Sequence, residues 1–420
     1  MSNNTGAVLD ETPRRCPRRA LRAASATRPA VSRWVTFADL HREPFRLFFP
    51  TATMAALIGI ALWPLLLLGW TDAYPGPRHA RLMVQGFFSG FIFGFMGTAM
   101  PRLLGTRPFS AGETLSLLLL FLGNIAICAS GLIMAADILF AVEIAFLLGL
   151  LVNRWRSREE LPPPTFVLVG LAFASALSGT LLSVAGHRWE LSAPLELLAR
   201  LLSYHGFVLL AVLGAGGFLL PRFLGLGARK IPEGPGMKAA WQRAARYHLA
   251  AGGLVLTTYV LEAFGWSRVA GTVRAIVIIG VFCREMPLHR LRWNWRGVHW
   301  QLLVGIACIP IGVLTAGWFP AMRATLLHLE LVGGFALITF AVATRVVFGH
   351  SGAQARLDRF HPWLTIAAVL MLLGLTSRIT GDFRPGIQTT HYVYGAFCWL
   401  TGTVVWAVCV LPRVLRPDPD

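Results

Sequence analysis

Residues 82–101 read LMVQGFFSGFIFGFMGTAMP, twenty consecutive residues without a formal charge, bounded by Arg81 and Arg102. At 1.5 Å per residue such a run matches the ~30 Å hydrocarbon core of a bilayer. Lipid offers no partner for backbone N–H and C=O groups, so a segment of this length that lives there is a helix. Working outward, windows of the same kind lie near 46–70, 114–134, 137–153, 164–186, 197–219, 247–265, 268–283, 300–318, 322–344, 362–379 and 389–411. Together they predict an all-α polytopic membrane protein of twelve transmembrane helices. Turn chemistry marks several breaks: Tyr74-Pro75-Gly76-Pro77, Pro162-Pro163-Pro164, Pro232 to Gly236 and Arg384-Pro385-Gly386. Between the third and fourth windows only Asp137 punctuates the apolar run.

Composition agrees. Of 420 residues, 55% are apolar and only 14% charged, against roughly 25% charged in an ordinary soluble domain. A disordered chain and a soluble enzyme are excluded. The net charge of +18 would suggest nucleic acid in a soluble protein, yet the basic residues are nearly all Arg and are spread over many short segments. Topology accounts for the spread: 29 of the 38 basic residues fall on one side, counting adjoining helix ends, which predicts a cytoplasmic location for both ends of the chain. No nucleic acid partner is expected. The organisation expected is an Arg-rich tail over 1–44, a membrane domain over 45–412 and a short tail over 413–420. Within the first tail, Arg14, Arg15, Arg18, Arg19 and Arg22 read as a solvated retention signal beside anionic lipid. No signal peptide is visible, so the first span would serve for insertion. Cys16, Cys128, Cys283, Cys308, Cys398 and Cys409 have neither CxxC nor metal-ligand spacing.

The second, sixth and tenth spans share a pattern. Gln85-Gly86-Phe87 precedes Pro101-Arg102-Leu103-Leu104-Gly105, and His205-Gly206-Phe207 precedes Pro221-Arg222-Phe223-Leu224-Gly225. In both, the Arg follows the polar residue by 17 positions, about 25 Å of helix; His328 and Arg345 repeat the interval in the tenth span. Recurrence every four spans predicts three parallel four-helix units.

Of eleven histidines, four stand on spans running from the outer to the inner side, near the outer boundary: His79, His205, His328 and His391. Imidazole is costly in lipid unless paired, and it ligates haem iron and copper. Singly, each reads as an interhelical hydrogen bond; their shared side makes a metal or porphyrin site an equal reading for the set. Tyr204, Glu330 and Glu143 are nearby groups able to orient imidazoles or move a proton, and Met83, on the face of His79, is a soft ligand or a packing residue. No P-loop, dinucleotide fingerprint, hydrolase nucleophile motif or covalent haem motif occurs.

The chain resembles the NnrS family of bacterial inner-membrane proteins. The likeness runs from Arg42-Glu43-Pro44-Phe45-Arg46-Leu47-Phe48-Phe49, through His79-Ala80 and Gly86-Phe87, to Ala343-Thr344-Arg345-Val346-Val347-Phe348-Gly349-His350-Ser351-Gly352. What the resemblance implies is a twelve-helix protein with non-covalent haem and copper, multi-pass in the inner membrane and associated with nitric oxide and nitrosative stress. The second-span motif of the family, H-x-H-E-M, is here His79-Ala80-Arg81-Leu82-Met83, in which Arg81 is available to a haem propionate or a carboxylate. A more distant likeness is to the catalytic subunit of haem-copper oxidases, whose adjacent His pair on the seventh span is absent. The ligand set expected is His79 and His328 for iron, with His205 and His391 for a second metal or distal position and Tyr204 and Glu330 behind them. The competing class is a transporter of a small solute or metal using the same His, Glu and Arg, whose signature would be helices broken in mid-membrane.

Overall fold

The computed structural model describes residues 35–226, 236–291, 294 and 296–418. Most of the Arg-rich tail, with Arg14 to Arg22 and Cys16, lies outside the described residues. Twelve long helices cross the molecule: α1 Phe45–Leu67, α2 Gly76–Leu103, α3 Ala111–Ser130, α4 Ile133–Arg156, α5 Phe166–Gly186, α6 Ala193–Phe223, α7 Met237–Ala263, α8 Ser267–Glu285, α9 His299–Trp318, α10 Pro320–His350, α11 Pro362–Phe383 and α12 Gln388–Val410. No strand occurs among the described residues. Ten of the twelve are long and apolar enough to span a membrane, and the chain is a multi-pass membrane protein.

The other two, α7 and α8, are less apolar for a visible reason. Arg274 on α8 donates to Glu262 on α7 at 2.7 Å and to Thr258 at 2.8 Å, and its guanidinium stacks on Tyr259 at 3.9 Å. Pairing lets the charges be buried at acceptable cost. Similar pairs hold four more of the nine basic residues that lie off the majority side: Arg81 with Asp137, Arg323 with Glu262, Arg378 with Asp382, and more loosely Arg200 with Glu196 at 3.9 Å.

Local chemistry sets the helix ends. Ser110 and Glu113 form a reciprocal capping box at the start of α3, which satisfies otherwise orphaned backbone donors. Gly131, with φ of 88°, ends α3 in the left-handed region that other residues adopt only at a cost. Here the sequence expectation is corrected: Gly131-Leu132 makes the break between α3 and α4, whereas Asp137 lies inside α4, buried against Arg81.

An even number of crossings brings the ends of the described chain to one face, where Val35 N–H donates to Leu415 O at 2.8 Å; this is the terminal face and its opposite the distal face. Helices α2, α6 and α10 form the centre of the bundle, with 78, 67 and 67% of their span windows buried against 50% or less for the seven other apolar spans. Each central helix contains one π-helical segment toward the distal face: Leu82–Phe88, Leu201–Gly206 and Leu329–Ala336. Such wide turns re-aim side chains and recur at functional sites. His79, Tyr204, His205 and His328 lie at or within one turn of these segments.

Candidate functional site

A cavity of about 400 Å³ opens between α1, α2, α6, α10, α11 and α12, within the ~300–1,000 Å³ range of small-molecule sites. Its walls are largely apolar and aromatic, including Trp63, Phe88, Leu331 and Trp399. Three imidazoles line it: His79 from α2, His205 from α6 and His328 from α10. Tyr204, Met83, Arg323, Arg378 and Tyr392 are also in the wall.

The three imidazoles are held alike. The Nδ1 of His79 lies 3.0 Å from Gly59 O, and that of His328 lies 2.7 Å from Ala324 O. A carbonyl oxygen can only accept, so in both rings Nδ1 donates and Nε2 carries the lone pair, the tautomer that binds a metal. His205 places Nδ1 at 3.1 Å from Glu330 Oε2, a carboxylate–imidazole pair of the kind that orients ligating histidines. Among the described residues, no hydrogen-bond partner reaches the Nε2 atoms of these three rings. Glu330 is buried, its second oxygen has no partner, and it is pressed into place by α9: a Cβ on Gly312 would stand 2.6 Å from Glu330 N. Only glycine permits that approach.

Charge collects on the side of α10 and α11. Arg323 donates to Glu262 at 2.7 Å. Arg378 pairs with Asp382, which also accepts from Thr325, Tyr392 and, at 2.9 Å, Gln388. Both His79 and His328 lie within electrostatic reach of Arg378. The arginines therefore stand at the cavity with their carboxylate partners behind them.

One expected ligand, His391, and the expected cofactor-binding Arg81 are placed elsewhere. The Nδ1 of His391 lies 3.1 Å from Ser377 Oγ between α11 and α12, and its neighbour Tyr392 takes the place in the wall. Arg81 turns away from the cavity and makes a two-pronged contact with Asp137 at 2.9 and 2.6 Å, beside Gln85. Of the choices open to Arg81 from sequence, the protein's own carboxylate takes it. Asp382 and Tyr392 were not anticipated; the Arg378-x-x-x-Asp382 spacing on one helix face was the available signal.

The cavity imidazoles do not converge on a point. Among the described residues, one group of three metal-ligating side chains has its ligand atoms all within 4.8 Å of one another, and it is Glu43, His350 and Asp418 on the terminal face. There Arg46 and Arg102 already contact Glu43, and Arg102 also reaches Asp418 at 3.4 Å. In the cavity the imidazoles surround a space instead of enclosing a single ion.

A family model described as NnrS protein matches residues 39–417. The chain belongs to the NnrS family. No curated protein matches it. In this NnrS chain the two stretches that carried the resemblance in sequence meet in space: His350 Nδ1 lies 2.8 Å from Glu43, and the imidazole ring centre 4.9 Å from that of Phe45. Arg46 adds bonds to Glu43 at 2.6 Å and to the carbonyls of Val414 and, at 2.6 Å, Arg416. Burial alone would raise the Glu43 carboxyl, but His350 and Arg46 overcome it and hold Glu43 at about 2, below its ordinary 4.5. This clasp ties the first, second and tenth spans to the carboxyl-terminal segment.

Proposed function

We propose that this NnrS chain is a haem protein of the bacterial inner membrane that acts in the response to nitric oxide, with its terminal face in the cytoplasm. One observation carries the reading: three imidazoles line one aromatic-walled cavity with two arginines in its wall, and two of them, His79 and His328, hold Nδ1 on a backbone carbonyl and so keep the lone pair on Nε2. A planar macrocycle with carboxylate substituents suits that arrangement. Apolar walls suit the ring, the imidazoles are of the type that ligates its iron, and guanidinium groups suit its carboxylates. The separation argues against a single ion held by all three histidines, so copper, if bound, takes fewer of these ligands.

His79 and His328 would hold the haem, which when bound and reduced would supply an iron able to take nitric oxide. The protein's own contribution is positional. Gly59 and Ala324 fix the tautomer of His79 and His328, and Glu330 orients the ring of His205; Trp63, Phe88 and Trp399 restrict water; Arg323 and Arg378 offset negative charge. The π-helical segments at corresponding places in α2, α6 and α10 support three parallel four-helix units as the origin of this symmetry. Transport of a small solute or metal is less favoured, because no non-helical residue interrupts any of the twelve described helices.

Protein purified in mild detergent is expected to show a Soret band that shifts when nitric oxide is added to the reduced sample. A colourless, monodisperse preparation that takes up no haem would overturn the proposal.

A further inference from the structure

Eight acidic side chains lie within the twelve helices. Seven have a basic partner within 4.0 Å: Glu113, Asp137, Glu196, Glu262, Glu285, Glu330 and Asp382. The eighth, Glu143 on α4, is fully buried, and among the described residues both of its oxygens lack a hydrogen-bond partner. It sits six residues along α4 from Asp137, about 9 Å deeper from the distal face. A bare carboxylate is too costly in such a place, so the group persists there as the neutral acid or not at all.

A polar seam leads toward it. His187, about one-third exposed just beyond α5, lies 3.4 Å from Asp137. Asp137 accepts from Arg81 and, at 2.8 Å, from Gln85. Gln85 Oε1 in turn lies 3.5 Å from both Asn124 Nδ2 and Cys128 Sγ on α3, and Cys128 is within electrostatic reach of Glu143. Among the described residues, the surroundings of Glu143 hold no other candidate counter-charge. On α4 itself are Asp137, already paired with Arg81, and Arg154, paired with Glu113 on α3 at the far end. The titratable side chain of α3 near Glu143 is Cys128, and α2 offers Arg81. α5 buries no titratable side chain along its length, and α6 contributes Tyr204 in the cavity wall and Phe207, whose ring meets Phe140 one turn from Glu143.

From this geometry we infer that Glu143 is an exchangeable proton site in the membrane interior, loaded from the distal face along the His187–Asp137–Gln85 seam. The step is simple: one proton from distal water joins the carboxylate, and the carboxylic acid gives it back, with no electron transferred. The inference is independent of haem.

Infrared spectroscopy of the whole protein in detergent tests it, because the other seven acids have basic partners and Glu143 alone should give an acid carbonyl band at neutral pH. That band is expected to shift in D₂O and to be absent in Glu143→Gln. Gln85→Met, which keeps side-chain length but cuts the seam, is expected to slow the shift several-fold. Asp137→Asn is a weaker choice because it strands Arg81. A spectrum unchanged in Glu143→Gln would overturn the site. Deuterium exchange as fast in Gln85→Met as in the native protein would overturn the route.

Discussion

Histidines gather at both ends of this bundle, and they are used differently. At the distal end, His79, His205 and His328 each hold Nδ1 against a fixed partner and line one cavity, with no partner on Nε2 among the described residues. At the terminal face, His350 spends both ring nitrogens on the protein: Nδ1 faces Glu43 and Asp418 at 2.8 and 3.1 Å, and Nε2 faces Arg102 at 3.4 Å. The first arrangement leaves ligating capacity unspent, and the second leaves none. Imidazole chemistry is thus decided by what holds the other side of the ring, which residue type and membrane depth do not specify.

Substitutions separate the two ends. The largest effect is expected from His79→Ala or His328→Ala: loss of the Soret band with the oligomeric profile on size exclusion unchanged. A band of full intensity in both would erase the contrast. Next is Glu262→Gln, which strands Arg274 and the cavity arginine Arg323; removing one member of a buried ion pair costs roughly 3–5 kcal/mol, read as a lowered thermal midpoint in detergent. Glu330→Gln keeps shape but weakens the hold on His205, and loss of the group that orients a ligating imidazole lowers metal-group affinity by roughly 10–100-fold; haem titration measures it.

At the clasp, Glu43→Gln should cost about 1–3 kcal/mol and leave the Soret band unchanged. Its pH signature is distinct. Glu43 is held at about 2 in the folded protein against an ordinary 4.5, so its contribution is present above pH 4.5 and is lost as pH falls toward 2. A melting series over that window should lose part of its acid limb in Glu43→Gln. The smallest effect is expected for Ser377→Ala, which removes a bond to His391 outside the cavity: about 1 kcal/mol, with no spectral change.

The spans were legible because bilayer thickness acts on composition directly: a run such as 82–101 admits one reading. Breaks were less so, since Asp137 reads as punctuation until Arg81, 56 positions away, supplies its partner. The cavity histidines were visible as a set through helix direction and depth, but depth does not report azimuth. His391 shares the depth of the others and lies in the α11–α12 interface. The π-helical segments of the three central helices leave no simple periodic signal, and the pairing of Arg378 with Asp382 at the cavity is visible in sequence only as an i, i+4 spacing. The meeting of Glu43 with His350, 307 positions apart in the chain, is a tertiary fact that neither stretch announces alone.

The central claim is that the distal imidazoles, and not the terminal one, have a coordination site to offer. Titration of haem-free protein with haem, followed by absorbance, tests it in native protein, His328→Ala and His350→Gln. The account predicts saturable binding in the native protein and in His350→Gln, and its loss in His328→Ala. Equal binding in all three, or loss confined to His350→Gln, would contradict it.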